Sequence, residues 1–126
     1  MKSPTDEGTL YSRIGGYDVM AAIVDEFLTT LSREPQMSRF STSSLESRRR
    51  NRQLTLDYLC DAAGGPTFYL GKDMKTAHAG LGISASEWQL SLDHVAKALT
   101  KFKVPEREAK DLMTLFSDLG SQIVEG

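Results

Sequence analysis

The residues that could do chemistry in this chain are few, and the two histidines, His78 and His94, come first. His78 closes the run "MKTAH", and Gly80 and Gly82 follow it at once. Met74 lies four positions earlier, so the two side chains share a face of a helix there. A single imidazole cannot hold a bare zinc or copper ion, whose sites draw on several protein ligands. It can hold an iron whose in-plane ligands come from a porphyrin. Ordinary packing of His78 is the alternative. His94 has Leu90, Ser91, Lys97 and Ala98 as its helical neighbours and reads as a structural or surface histidine. Cys60 sits mid-helix beside Leu59 and reads as a core thiol, because a nucleophilic cysteine needs a base and an electropositive setting. As the sole cysteine it excludes an intrachain disulfide and a cysteine-based zinc site. The chain carries no phosphate-binding loop, G-x-S-x-G elbow or H-E-x-x-H pair.

The elements that must position these residues are helical. No stretch shows sustained period-two alternation, so an all-α fold is expected. After a short segment from Leu10 to Ile14, Gly15 and Gly16 break the chain. Asp18 is then expected to cap a helix with the stripe Ile23, Val24, Phe27, Leu28 and Leu31, ending near Arg33. Residues 38–47, rich in serine, read as a loop or short irregular helix. A second long helix is predicted from Leu45 or Ser47 to Ala62 or Ala63, stopped by "GGP" at Gly64, Gly65 and Pro66. One face of it carries Asn51, Thr55, Tyr58, Leu59 and Ala62. A loop and about two helical turns then lead to His78. Ser84 and Glu87 form a capping box before the stripe Trp88, Leu92, Val95, Ala96, Leu99 and Phe102. Pro105 opens a last helix with Leu112, Met113, Leu115, Phe116, Leu119 and Ile123 on one side. The tail after Val124 is expected to fray, and residues 1–8 to form a flexible extension.

At 126 residues and 40% hydrophobic content the chain suits one domain. Fifteen basic and 17 acidic residues, net charge −2, leave no broad positive field for nucleic acid or an anionic membrane. The basic run "SRRRNR", Ser47 to Arg52, reads as a solvated helix face. There is no signal-peptide-like or bilayer-spanning apolar run, and a soluble, reducing, cytoplasmic setting is expected.

The ordered motifs give a family resemblance. Gly15-Gly16 after a vestigial first helix, Phe27, "GGP", and "GKDMKTAHAGLGIS" from Gly71, with its spacing from Gly64 to His78, resemble the truncated, or two-over-two, hemoglobins, above all their first group. The resemblance covers nearly the whole chain, from Leu10 to the end of the last helix. It implies a two-over-two helical sandwich around one heme b, the second and third segments crossing above the ring and the last two below. It implies His78 as the proximal iron ligand, with the glycines letting a very short proximal segment turn tightly. Met74, Ile83, Trp88, Val95 and Phe116 become the expected apolar heme wall, Phe27 the distal phenylalanine, and Phe40 the match for a phenylalanine stacking on the heme edge. That last match crosses a stretch where this chain, with "RFS" for "FF", is longer than its relatives.

The distal side departs from the family. Where many first-group members have a tyrosine whose hydroxyl supports bound oxygen, this chain has Leu28. Asn51 and Thr55 match the two distal positions on the next helix. The Asn51 amide could supply the missing donor, whereas the Thr55 hydroxyl could instead bond back to its own helix. Lys72, Lys75 and Arg52 are candidates to pair with heme propionates. With His94 on another helix, no bis-histidine state is expected. The implied function is reversible binding of O2, NO or CO, for oxygen transport or storage. Alternatives are nitric oxide dioxygenation, which needs a separate reductase, and gas sensing or electron transfer through a separate partner. A monomer or weak dimer is expected.

Overall fold

Side-chain caps or apolar stripes mark the long helices, and the computed structural model describes residues 8–40 and 44–125, with backbone alone for 38–40. The expected extension at residues 1–8 thus lies outside the described residues except for Gly8, and so does the Phe40 side chain. The elements are α1 (Leu10–Ile14), α2 (Tyr17–Ser32), a 3-10 helix (Pro35–Phe40), α3 (Leu45–Ala62), α4 (Met74–His78), α5 (Ala85–Lys101), α6 (Glu106–Asp118) and α7 (Gly120–Ile123). No strand occurs among the described residues.

α2 buries Met20, Ile23, Val24 and Phe27, the stripe the sequence predicts. Its cap differs from expectation: Gly16 is the N-cap, and Asp18 lies inside the first turn, where its charge meets the positive helix end. α3 opens on Ser44, whose hydroxyl accepts the Ser47 N–H at 3.2 Å. Only its second half is buried, through Leu56, Leu59 and Cys60, while Arg48, Arg49 and Arg50 are exposed. Burial, followed by the nearby Asp57 carboxylate, pushes the Cys60 thiol up to about 11, which suits a packed thiol and not a nucleophile.

α5 carries the expected capping box. Glu87 N–H donates to Ser84 Oγ at 3.2 Å, and Ser84 N–H donates to Glu87 Oε1 at 2.9 Å. Ser84→Ala should therefore lower the unfolding free energy by about 1 kcal/mol, read as a lower urea midpoint at unchanged slope. Pro105 proves to be the N-cap of α6 instead of its first residue, and its carbonyl accepts the Ala109 N–H at 2.8 Å. The predicted last helix is split at Leu119 into α6 and α7.

α2 packs against α3 and α5, and α5 against α6, while α1 touches α2 and α6. The main core lies between these pairs, with Met20, Leu56, Val95, Ala98 and Leu112 removed from solvent. A second cluster, Ile83, Leu119 and Ile123, sits where α4 packs on α7, and Met74 and Trp88 lean on it. A Cβ on Gly120 would stand 2.8 Å from the Trp88 indole nitrogen, so glycine is required for the ring to lie against α7. His94 is buried, with Nε2 2.7 Å from Glu34 Oε1, tying α5 to the turn after α2.

Candidate functional site

The two helix pairs leave a cavity of about 420 Å³ between them, within the range of cofactor sites. α2 and α3 give one wall, through Phe27, Leu28, Leu31, Asn51, Leu54, Thr55, Tyr58 and Leu59. α4 and the turn after it give Met74, Ala77, His78, Leu81 and Ile83, and Trp88, Phe116, Leu119 and Ile123 complete that side. Phe27 and Phe116 meet edge to face across the two layers, centroids 5.8 Å apart. Nine residues expected from the sequence at a heme pocket thus come together here: Phe27, Leu28, Asn51, Thr55, Met74, His78, Ile83, Trp88 and Phe116. Val95 does not line the cavity; it lies in the main core, because its side of α5 faces α2 and α6.

The half-buried His78 stands at the end of α4, a helix of five residues opened by Asp73, whose carboxylate accepts the Thr76 N–H at 3.3 Å. The Thr76 hydroxyl first, and then that N–H, hold the Asp73 carboxyl below the usual range. His78 Nδ1 is 2.8 Å from the Met74 carbonyl oxygen. A carbonyl only accepts, so Nδ1 carries the proton and Nε2 keeps its lone pair. Met74 therefore serves twice, as apolar wall and as the partner that fixes the imidazole tautomer.

The polar groups on the cavity wall are largely committed elsewhere. Thr55 Oγ1 donates to the Asn51 carbonyl at 2.8 Å, the back-bonding that the sequence leaves open. Ser91 Oγ donates to the Glu87 carbonyl at 3.2 Å, and the Tyr69 hydroxyl to the Lys72 carbonyl. The Asn51 amide makes no hydrogen bond to a described residue and is exposed at the cavity rim. Arg52, a candidate propionate partner, is committed to Asp25 through two bonds of 2.6 and 3.0 Å. Lys72 and Lys75 remain exposed.

Sequence reasoning left several lining residues unassigned. Tyr58 and Leu59 share the α3 stripe with Asn51 and Thr55, and Leu119 and Ile123 the last stripe, so periodicity could have found them. Tyr69 and Leu81 lie between helices, where no period exists. Tyr58 and Tyr69 pack edge to face at 5.1 Å.

Residues 9–125 match the model of the bacterial-like globin family. A group 1 truncated hemoglobin of Mycolicibacterium paratuberculosis is 30% identical over 121 residues, 96% of this chain and 88% of that protein. The chain belongs to the truncated hemoglobins. Among solved structures, the hemoglobin of Chloroflexus aurantiacus superposes with a TM-score of 0.83 at 25% identity, covering 95% of this chain and all of the other. The Fe(III) truncated hemoglobin of Tetrahymena pyriformis gives 0.84 at 20% identity, covering 94% and 99%. This truncated hemoglobin has the two-over-two fold, and heme and small-gas binding follow from its family. The cavity fits that group on its own terms. Among the described residues no three His, Cys, Asp or Glu side chains converge to hold a bare metal. One imidazole of fixed tautomer beside an apolar slot is instead the donor set that a porphyrin-held iron accepts.

Proposed function

We propose that this truncated hemoglobin reversibly binds oxygen and related diatomic gases at a heme b held by His78. The observation that carries the reading is the His78 Nδ1 bond to the Met74 carbonyl, which leaves Nε2 as the ligating nitrogen inside the apolar cavity. Heme, held there by His78, would supply an iron able to take up a small gas. The chain's residues do the rest. Met74, Ile83, Trp88 and Phe116 exclude water and hold the ring by apolar contact. Leu28 offers the gas no hydrogen bond. Thr55 has its proton pledged to the α3 backbone, which leaves the Asn51 amide as the donor that tunes gas affinity. Cys60, buried in the core, does not line the cavity, which supports a heme held without a thioether bond. The lone free thiol also supports a reducing, cytoplasmic setting. No helix among the described residues is long and apolar enough to cross a membrane.

The test is a visible spectrum of hemin-reconstituted protein. A Soret band that saturates at one hemin per chain, shifts on reduction under carbon monoxide, and cycles with oxygen on and off is the expected result. Failure to develop the band overturns the reading. Sustained conversion of nitric oxide to nitrate with a reductase, faster than oxygen release, would make the protein a nitric oxide dioxygenase instead.

A further inference from the structure

The sequence leaves the tail after Val124 to fray, yet Glu125 is hydrogen-bonded back to the fold. Glu125 N–H donates to the Ile83 carbonyl at 2.8 Å. Its carboxylate reaches further back: Oε2 accepts the Gly80 N–H at 3.1 Å, and Oε1 accepts the Gly82 N–H at 2.9 Å. The turn that follows His78 is thus gripped from outside by one side chain. Gly80 and Gly82 have φ of +81° and +66°, and a Cβ on either would meet nothing within 4 Å. Backbone conformation, not space, calls for glycine at both positions. Two left-handed residues flanking Leu81 aim their amides at one point, the arrangement of an anion-binding backbone concavity. Here the anion is the chain's own carboxylate, and the Gly80 and Gly82 amides hold its carboxyl below the ordinary range.

α4 by itself secures His78 poorly. It has five residues, none of them fully buried, and helices that short are marginal without tertiary support. Leu81 N–H donates to the His78 carbonyl at 3.3 Å, so the gripped turn is also tied to the histidine's own backbone. Leu81 and Ile83, on either side of Gly82, both line the cavity.

We propose that Glu125 is a positioning residue for His78, its carboxylate latching the turn after α4 and so setting where the imidazole stands in the heme cavity. The inference rests on the reading of His78 as the iron ligand. Two variants test it, Glu125→Ala and Glu125→Gln, the second keeping a single acceptor oxygen. In heme-free protein, amide hydrogen exchange at Gly80 and Gly82 should quicken about tenfold or more in Glu125→Ala and by an intermediate factor in Glu125→Gln. In hemin-loaded, reduced, gas-free protein, the iron–histidine stretching band should shift or broaden in the same order, and hemin transfer to a heme-free globin acceptor should accelerate. Unchanged exchange in Glu125→Ala overturns the latch. Faster exchange with an unmoved iron–histidine band and unmoved hemin transfer also overturns it, because Glu125 would then only tether the tail. If the reading of His78 is what fails, His78→Gly retains the wild-type band whatever the Glu125 variants do.

Discussion

His78→Gly should abolish the iron–histidine stretching band and weaken hemin binding by more than about 100-fold, with millimolar imidazole restoring the band. The magnitude follows from a comparison. Losing only the outer partner of a ligating histidine costs about 10–100-fold in metal affinity, and here the ligand itself is removed. The structure makes the variant informative. His78 is half-buried on the cavity wall, so its loss enlarges the cavity and opens no hole in the closed core. Free imidazole can enter the space it leaves, and rescue separates a lost bond from a lost fold. His94→Ala supplies the contrast. It removes a buried ring and its contact with Glu34, so stability should fall while the iron–histidine band stays in place. A band that disappears in His94→Ala and survives in His78→Gly would reverse the assignment. Urea denaturation together with resonance Raman spectra of both variants decides it.

How much of this was legible in the sequence depends on what fixes each element. The stripes of α2 and α5 and the Ser84 box were readable because periodicity and capping are local. The division of the last helix at Leu119 was not, since only Gly120 marks it and a lone glycine is tolerated inside a helical stripe. Beside the division Trp88 lies on Gly120, a contact between distant residues that periodicity does not show. Val95 shares its stripe with Trp88, and the family resemblance makes both expected members of the heme wall. A helix wedged between two neighbours buries more than one face, and the stripe alone does not say which one meets the cavity. The same blindness hid Glu125. A glutamate next to the last residue carries no periodic signal, and only the fold brings it to Gly80 and Gly82. For the candidate site, helical spacing put Met74 on one face with His78, while the family resemblance marked His78 as the ligand and Leu28 and Asn51 as the distal positions. Which polar groups were already spent could be learned only from hydrogen bonds.

The distal side gives the second large effect, in two opposite directions. Leu28 lines the cavity from α2 and has no donor, and Thr55 has committed its proton to the Asn51 carbonyl. The amide of Asn51 is therefore the chain's uncommitted donor among the residues expected on that side. One neutral hydrogen bond is worth about 0.5–1.5 kcal/mol net, at most about tenfold in a binding constant. Asn51→Ala should accelerate oxygen release by up to that factor. Leu28→Tyr, which restores a hydroxyl at the α2 position, should slow it by a similar factor. The two variants thus bracket wild type, and their release rates differ by up to about 100-fold if each effect reaches its limit. Carbon monoxide serves as the internal control. It draws less on a hydrogen-bond donor than oxygen does, so its release should change less in both variants. Equal changes for the two gases would point to altered access through the cavity instead. Stopped-flow displacement of each gas makes the comparison. An oxygen release rate unchanged in Asn51→Ala would remove Asn51 from the site and leave the Tyr58 hydroxyl as the remaining uncommitted side-chain donor on that wall. A pocket in which neither side chain reached the gas would hold oxygen weakly, which also bears on nitric oxide dioxygenation, since that reaction requires oxygen to stay bound until nitric oxide arrives.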